Sequence, residues 1–299
     1  MPGSPRLAFL GLGAIGRPMA VRVAGKYPLS VWNRTPGPAT EIASRSGATA
    51  AASAREAVAG ADVVMACLST SADVEEVLFG PGGAAESIAS GALVLDCTSG
   101  DAATSRRLAA LLAQRNVGFA DCPVSGGTNG AEAGALTVMV GADAGTFARA
   151  RPFLETFGTL IVHVGPVGAG DTVKAINQVL LATHIASLGE ALTAMVKAGV
   201  DARRGLEVIN ASSGRSFVSK ALVPDRVLTG TWPNTFRLAL LEKDVRIALG
   251  LVEELGLDAP VLEKVGEVMA AARRDLGESA DYLEAIKLAE ARAGVEVRG

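Results

Sequence analysis

The sequence has 299 residues, with 28 Lys and Arg against 31 Asp and Glu, which gives a formal net charge of −3. This near balance argues against a dedicated nucleic-acid-binding protein, and an aromatic content of 4% disfavours a base-stacking surface. The hydrophobic fraction of 49% excludes a disordered chain, and the length predicts two domains, each with its own core.

No membrane-spanning segment is predicted. The longest stretches without a charged residue, Thr156–Gly170 and Ala175–Gly189, are shorter than the roughly 20 apolar residues that a span needs. Three cysteines, Cys67, Cys97 and Cys122, lack a CxxC spacing, so neither a disulfide framework nor a zinc site is indicated. They are interpreted as small buried hydrophobic residues. We expect a cytoplasmic protein that has neither a nucleic-acid nor a membrane partner.

The first half alternates short β-branched strands with Ala-rich helices, the pattern of βαβ units in a doubly wound, mostly parallel sheet. The predicted strands are Leu7–Leu10, Leu29–Trp32, Val63–Leu68, Leu93–Asp96, Gly118–Ala120, Leu136–Val140 and Leu160–Val164. The predicted helices are Pro18–Ala24, Ala39–Ser46, Ser71–Phe79, Asp101–Arg115 and Ala144–Phe157. Asp101 is expected to cap its helix, and Pro152 to lie in a first helical turn.

From Gly165 onward the sequence is helical in character. Asp171–Ala198 is predicted to be one long helix with Gly199 as its C-terminal cap. Further helices are predicted over Asp201–Asn210, Phe236–Leu255, Pro260–Leu276 and Ser279–Ala293. We therefore predict an α/β domain over residues 1–164 and an all-α domain over residues 165–299, joined by the long helix.

A glycine-rich turn, Gly11-Leu12-Gly13-Ala14-Ile15-Gly16, ends the first predicted strand and leads into the first predicted helix. In this context the GxGxxG spacing is typical of a dinucleotide site. The first glycine permits a tight turn, the second lets the backbone approach a pyrophosphate, and the third lets the helix pack closely on the strand. The free N–H groups of the helix N-terminus then favour the anion.

The second predicted strand is followed by Asn33-Arg34-Thr35, where NAD-binding proteins usually carry an acidic residue for the ribose hydroxyl. A carboxylate would repel a 2′-phosphate, whereas an amide, a guanidinium and a hydroxyl can all donate hydrogen bonds to one. The pattern therefore favours NADP over NAD as the cofactor.

Lysine is the best candidate for proton transfer. The two histidines, His163 and His184, are assigned structural positions, because no catalytic triad, HExxH motif or metal-ligand cluster can be built from them. Lys174 is predicted in the first turn of the long helix, where burial and the positive helix end would both lower its pKa towards values useful for acid–base catalysis. Asn177 and Gln178 share its helix face. A solvated surface lysine is the alternative.

Two further polar segments each allow two interpretations. Ser125-Gly126-Gly127-Thr128 follows a predicted strand, and its turn offers successive N–H groups and a hydroxyl to a carboxylate. An ordinary connecting loop is equally compatible with that segment. Glu242-Lys243-Asp244 falls within a predicted helix, and taken alone it indicates a solvated surface with a Glu242–Arg246 ion pair.

Together these motifs resemble those of the β-hydroxyacid dehydrogenase family, and within it the 3-hydroxyisobutyrate dehydrogenases. The resemblance covers nearly the whole chain and rests on Phe9–Ala20, Asp121–Ala131, Gly168–Gly170 with Lys174 and Asn177, and Leu241–Asp244. It implies a Rossmann domain, an all-helical second domain and an active site in the cleft between them. It also implies a homodimer or homotetramer with a role in valine catabolism.

The reaction that the resemblance implies is hydride transfer between NADP, or NAD, and a short 3-hydroxy acid, first of all 3-hydroxyisobutyrate, which gives methylmalonate semialdehyde. Lys174 is then the catalytic lysine. The implied substrate-binding residues are Ser125, Gly126, Gly127, Thr128, Asn177, Gln178, Lys243 and Asp244. The implied cofactor-binding residues are Gly11, Leu12, Gly13, Ala14, Ile15, Gly16, Asn33, Arg34, Thr35, Leu68, Ser69, Thr70, Thr98, Ser99 and Lys243.

Departures from the family pattern leave other substrates open. Gln178 stands where 3-hydroxyisobutyrate enzymes often have a second Asn, and tartronate semialdehyde reductases often show Asn-Gln there. Asn33-Arg34-Thr35 resembles the NADPH-dependent glyoxylate and succinic semialdehyde reductases. Ile15 and Ser69 replace the family's frequent Met and Pro. Imine reductases and non-enzymatic dehydrogenase-like modules generally lack a lysine at the position of Lys174, so the sequence disfavours both.

Overall fold

The computed structural model describes residues 4–299 of the chain. The chain divides into two compact units. The first ends at Lys174 and the second begins at Ala175, so the boundary falls inside one long helix. The first unit is α/β and the second is helical, which confirms the predicted fold class.

The first unit is built on a mostly parallel sheet, which has nine strands within residues 4–299. The strands are β1 (Leu7–Leu10), β2 (Leu29–Trp32), β3 (Thr49–Ala50), β4 (Val63–Ala66), β5 (Leu93–Asp96), β6 (Gly118–Asp121), β7 (Val124–Ser125), β8 (Leu136–Gly141) and β9 (Gly158–Gly165). Their order is β3-β2-β1-β4-β5-β6-β8-β7, with β9 paired to β8. Only the pairs that β8 makes with β6 and β7 are antiparallel among those described.

The register aligns the carboxyl ends of five parallel strands. Leu10 is level with Trp32 and with Ala66, Ala66 is level with Asp96, and Asp96 is level with Asp121. The next residues in the chain therefore follow one edge of the sheet: Gly11, Asn33, Cys67, Cys97 and Cys122. Ligands of open α/β sheets bind outside this edge.

Helices cover both faces of this sheet. In the first unit they are α1 (Gly16–Ala24), α2 (Gly37–Ser46), α3 (Ala54–Val58), α4 (Ser71–Phe79), α5 (Ala102–Ala113), α6 (Gly127–Ala133) and α7 (Ala144–Leu154). Side chains of β1 alternate between the two cores, because Leu7 and Phe9 join one cluster whereas Ala8 and Leu10 join the other.

The second unit is helical. Its elements follow α8 (Ala169–Lys197), which begins in the first unit, and they are α9 (Ala202–Asn210), α10 (Val223–Arg226), α11 (Leu238–Glu254), α12 (Pro260–Leu276) and α13 (Ile286–Ala293). A π-helical segment, Val218–Leu222, precedes α10. Val179 and Ile185 of α8 pack with Leu241 and Val245 of α11 in one core cluster.

The long helix α8 is apolar and long enough to cross a membrane by length and composition alone, a test that core helices of soluble proteins also pass. Its buried residues contribute to the core of the second unit. At its C-terminus, Gly199 adopts φ +84°, and the Val200 N–H donates to the Met195 carbonyl at 3.0 Å. This confirms the predicted glycine cap.

Most differences from the prediction concern short elements. Asp101 caps α5 as predicted, because its side chain accepts a hydrogen bond from the Thr104 N–H at 2.8 Å. The prediction for Pro152 is wrong: it lies inside α7, near the C-terminal end, where its ring removes one helical N–H donor. β3, α3 and α6 were not predicted, since they are too short to display a periodic pattern.

The three cysteines are free, as predicted, and each follows the last residue of a parallel strand. Cys97 and Cys122 are buried, and burial raises the pKa of both thiols well above the usual range. Uncharged thiols of this kind pack as small hydrophobic groups.

A substitution at Leu241 tests the core of the second unit. The residue is fully buried, whereas Leu255 at the end of the same helix is 61% exposed. We expect Leu241→Ala to lower the free energy of unfolding by about 2–5 kcal/mol, because it leaves a cavity. Leu255→Ala, the matched control, changes it by less than about 0.5 kcal/mol. Urea and thermal unfolding measure both, and equal losses would contradict the assigned core.

Candidate active site

The glycine-rich turn has the geometry that a pyrophosphate needs. Gly11 adopts φ +96°, and a Cβ there would lie 2.3 Å from the Cys67 carbonyl oxygen. A Cβ at Gly16, the first residue of α1, would lie 2.1 Å from the Gly11 carbonyl oxygen. A Cβ at Gly13 would meet nothing within 4 Å, so the backbone there faces open space. These residues fit a dinucleotide phosphate.

Asn33 connects this turn to the loop after β2. Its Oδ1 accepts a hydrogen bond from the Leu12 N–H at 2.9 Å, and its Nδ2 donates to both the carbonyl and the hydroxyl oxygen of Thr35 at 2.9 and 2.8 Å. The amide is therefore engaged within the protein at both ends. In this arrangement the N–H groups of the amide bond within the loop after β2, rather than being offered to a 2′-phosphate.

Arg34, in contrast, extends into solvent. Its side chain is 81% exposed, and the Nη1 atom lies 3.5 Å from Asp73 Oδ1. Such an exposed ion pair at this distance is weak. Asp73 is also held by Thr70, whose hydroxyl donates to it at 2.6 Å and accepts from its N–H at 3.1 Å as the cap of α4. The guanidinium therefore has the freedom to bind a phosphate.

The loops after β4 and β5 lie side by side. The Leu68 N–H donates to the Thr98 hydroxyl at 3.0 Å, and the Leu68 side chain lies close to Gly11. Ser69 is exposed and Ser99 is half-buried. The structure thus brings the predicted residues of the glycine turn, Leu68 and Thr98 to the same edge of the sheet.

Lys174 lies in α8 and is only 8% exposed, so the alternative of a solvated surface lysine is wrong. The helix begins at Ala169, two residues before the predicted start. Lys174 consequently lies in the second turn rather than the first, where the helix dipole acts more weakly.

The first turn of α8 is held by a carboxylate that sequence reasoning did not assign. Asp121, the last residue of β6, accepts hydrogen bonds from the Gly168 N–H at 2.7 Å and from the Asp171 N–H at 2.9 Å. The Asp171 carboxyl in turn bonds the Ser105 hydroxyl at 2.6 Å. The only sequence signal was an acidic residue at the end of a buried strand.

Burial dominates the titration of these two acids. It raises the pKa of the Asp121 carboxyl, against the opposing effect of the backbone hydrogen bonds. It also raises the pKa of Asp171 well above its usual value, and the neighbouring charge of Asp121 adds to this shift. The pair is thus buried, close and hydrogen-bonded at the start of the lysine helix.

The loop after β7 presents backbone N–H groups to solvent. Gly126 and Gly127 have φ values of +137° and +64°, and both are exposed. α6 begins at Gly127 without a side-chain cap from the described residues. Ser125 and Thr128 flank the two glycines and are half-buried. Free N–H groups beside two hydroxyls form a suitable cradle for a carboxylate.

Four predicted residues of the second unit form one polar network. Asn177 Nδ2 donates to Gln178 Oε1 at 3.2 Å, and Gln178 Nε2 donates to Asp244 Oδ2 at 2.9 Å. Lys243 Nζ lies 3.0 Å from Asp244 Oδ1, an ion pair without a well-aligned hydrogen bond. Gln178 and Asp244 are buried, so the network is rigidly placed within this unit.

The interpretation of Glu242-Lys243-Asp244 as solvated surface is wrong. Glu242 is buried and pairs with Arg246 and Arg273, each at 2.8 Å. The pair with Arg246 was predicted and is confirmed. Arg273 belongs to α12, and a partner this distant in sequence cannot be identified from helix spacing.

His163 has the surroundings of a structural residue. His163 Nε2 lies 2.8 Å from the Ala142 carbonyl oxygen, and its ring stacks on Phe147 with a centroid distance of 4.8 Å. His184 lies on an exposed face of α8. Within residues 4–299, no cluster of His, Cys, Asp or Glu could hold a metal ion.

Two family models match the chain. Residues 6–165 match the NAD-binding domain of 6-phosphogluconate dehydrogenase. Residues 168–289 match the NAD-binding domain of NADP-dependent 3-hydroxyisobutyrate dehydrogenase. The cofactor is therefore a nicotinamide dinucleotide, NADP with NAD as the alternative.

Characterised relatives are similar along almost their whole length. The 2-(hydroxymethyl)glutarate dehydrogenase of Eubacterium barkeri is 35% identical over 301 residues, which cover 100% of this chain and 99% of that protein. The 2-hydroxy-3-oxopropionate reductase of Escherichia coli is 31% identical over 96% of this chain and 98% of its own length.

A solved structure shares the fold. The 3-hydroxyisobutyrate dehydrogenase of Mycobacterium tuberculosis with L-serine has a TM-score of 0.88 and 30% identity, and the match covers 96% of this chain and 99% of that one. The sheet order, the glycine turn and the helical second unit agree with these matches. The chain accordingly belongs to the β-hydroxyacid dehydrogenases, which oxidise CH–OH groups with NAD or NADP.

Proposed function

We propose that this protein catalyses the reversible oxidation of 3-hydroxyisobutyrate to methylmalonate semialdehyde with NADP, and that Lys174 is the general acid and base. The observation that carries the proposal is the burial of Lys174 in a helix whose first turn is fixed to the end of β6. The chain runs from that strand end directly into the Ser125 loop.

The proposed roles follow from the chemistry of each group. The N–H groups at Gly126 and Gly127 hold the substrate carboxylate, and the Ser125 hydroxyl adds a further donor. This anchor orients the carbinol carbon. The Lys174 amine takes the hydroxyl proton during oxidation, and its ammonium form returns a proton to the carbonyl oxygen during reduction. A nicotinamide dinucleotide held at the glycine-rich turn would supply the hydride acceptor or donor.

The names of the relatives define a substrate class that supports this choice. 2-(Hydroxymethyl)glutarate, 3-hydroxyisobutyrate and L-serine are all 3-hydroxypropanoates that differ in the substituent at C2. 2-Hydroxy-3-oxopropionate is the corresponding aldehyde with a hydroxyl at C2. A site that anchors the carboxylate and protonates or deprotonates the C3 oxygen would serve all four molecules.

A second candidate is the reduction of tartronate semialdehyde, which is 2-hydroxy-3-oxopropionate. The adjacent amides of Asn177 and Gln178 favour it, because they make their surroundings polar, and polar surroundings favour a hydroxyl at C2 over a methyl group. We further propose a homodimer or homotetramer in the cytoplasm with a place in valine catabolism, on the family resemblance alone.

Removal of the lysine amine tests the chemical step. We expect Lys174→Ala to lower kcat/KM by about 10²–10⁴, the usual contribution of a general acid or base. The affinity for NADPH, measured by fluorescence titration, should stay within about twofold. The control is Lys264→Ala, because Lys264 lies on the surface of α12 and pairs only with Glu267 among the described contacts. A kcat/KM close to wild type would refute the assignment.

Charge reversal at Arg34 tests the cofactor. We expect Arg34→Asp to weaken NADP binding by about 1–3 kcal/mol, since it replaces a cation with a carboxylate beside the 2′-phosphate. NAD binding should change by less than about 0.5 kcal/mol. Arg45→Asp is the matched control, since Arg45 is exposed on α2 of the same unit. Equal losses for NADP and NAD in Arg34→Asp would show that Arg34 does not read the phosphate.

A comparison of initial rates tests the substrate. We expect 3-hydroxyisobutyrate with NADP to give a higher kcat/KM than L-serine, glycerate or 2-(hydroxymethyl)glutarate. In the reverse direction, methylmalonate semialdehyde, tartronate semialdehyde, glyoxylate and succinic semialdehyde should be compared using NADPH. Preference for tartronate semialdehyde would select the second candidate, and preference for glyoxylate or succinic semialdehyde would contradict both.

A further inference from the structure

Asp121 takes no part in the chemical steps above. Its carboxylate nevertheless accepts hydrogen bonds from the Gly168 and Asp171 N–H groups at the start of α8. We propose that Asp121 is a positioning residue, which fixes Lys174 relative to the substrate loop by holding the first turn of α8. The inference rests on the proposed function, because it assumes that Lys174 transfers the proton. It assigns no new chemistry to Asp121.

The carboxylate occupies a cradle built of glycines. A Cβ at Gly141 would lie 2.4 Å from Asp121 Oδ1, and a Cβ at Gly170 would lie 2.8 Å from Oδ2. Gly168, which donates one of the two hydrogen bonds, adopts φ +91°. Side chains at these positions would displace the carboxylate or strain the turn, so the close approach depends on all three glycines.

Asp121 is itself fixed by the sheet. It pairs with Asp96 of β5 on one side and with Gly141 of β8 on the other. Four residues later the chain reaches Ser125, the start of the proposed carboxylate cradle. Asp121 therefore ends the strand that leads into the substrate loop. Its side chain also binds the turn that leads into Lys174.

This arrangement differs from an ordinary helix cap. Asp143 caps α7 from within the adjacent sequence, where it accepts from the N–H groups of Gly145 and Thr146. Asp121 caps α8 from 47 residues away, through a hydrogen bond buried in the structure. A local cap stabilises one helix, whereas this one also sets the distance between two loops. A misplacement of about 1 Å at a reacting group costs on the order of 10²-fold in rate.

Asp171 provides the matched control. It is a second buried carboxyl in the same turn, but its side chain bonds Ser105 and not the backbone of the turn. Asp171→Asn therefore removes an acid at nearly the same place while leaving both N–H bonds to Asp121. Asp121→Asn keeps the shape of the side chain but turns an N–H₂ group towards one of the two N–H donors.

The test combines amide hydrogen exchange with kinetics on the full-length protein. In Asp121→Asn we expect exchange over residues 166–174 to accelerate by at least about tenfold as the turn loosens, and kcat to fall by about 10²-fold. The NADPH dissociation constant should change by less than about twofold, since the glycine turn is untouched. Asp171→Asn should stay within about threefold of wild type in both exchange and kcat.

A second variant keeps the test decisive if Asp121→Asn fails to fold. Gly141→Ala places a methyl group whose three nearest heavy atoms all belong to the Asp121 carboxylate, and pushes that carboxylate away without removing it. We expect the same changes in the same direction. Faster exchange with unchanged kcat, unchanged exchange, or an equal loss in Asp171→Asn would each overturn the proposal. Absence of wild-type turnover with every substrate would refute the proposed function instead, while the exchange result would still decide whether Asp121 holds the turn.

Discussion

The lateral register of the parallel strands is the constraint on which the first unit depends. Because Leu10, Trp32, Ala66, Asp96 and Asp121 are level across the sheet, the loops that follow them leave from one edge. These loops then bond to one another: the Leu12 N–H donates to Asn33 Oδ1, and the Leu68 N–H donates to the Thr98 hydroxyl. A shift by one residue in any of these strands would separate such pairs and reverse the side chains that face the two cores.

In the second unit, the main constraint is that charged side chains are buried. Glu242 and Asp244 lie two residues apart on α11, and both are buried. Arginines from α11 and α12 neutralise Glu242, whereas Asp244 accepts a hydrogen bond from an amide and forms an ion pair with a lysine. Buried carboxylates with several partners add little net stability, but the loss of one partner is costly. Such an arrangement fixes the side chains of Gln178 and Lys243 in defined positions.

The elements that could be predicted from the sequence either have a long hydrophobic repeat or depend on interactions between residues close in the chain. The strands of the parallel sheet, the helix α8 with its Gly199 cap and the GxGxxG turn are of this kind, because hydrophobic period, capping and backbone freedom act over a few residues. The hydrogen bond that the Gly168 N–H donates to Asp121 and the one that Arg273 donates to Glu242 link residues 47 and 31 apart. No local pattern encodes such contacts. Pro152 was misplaced because the preference of proline for the first turn is only statistical, and the helix starts earlier, after its Asp143 cap.

The reactivity of the cysteines at the edge of the sheet can report whether that edge is closed. Cys97 and Cys122 are enclosed, and their protonated thiols are poor nucleophiles while the sheet is intact. Alkylating reagents can therefore modify them only after the carboxyl edge of the sheet has opened. The rate of their labelling would thus report the opening of the edge that carries the glycine-rich turn, with no need for an introduced dye or a substrate.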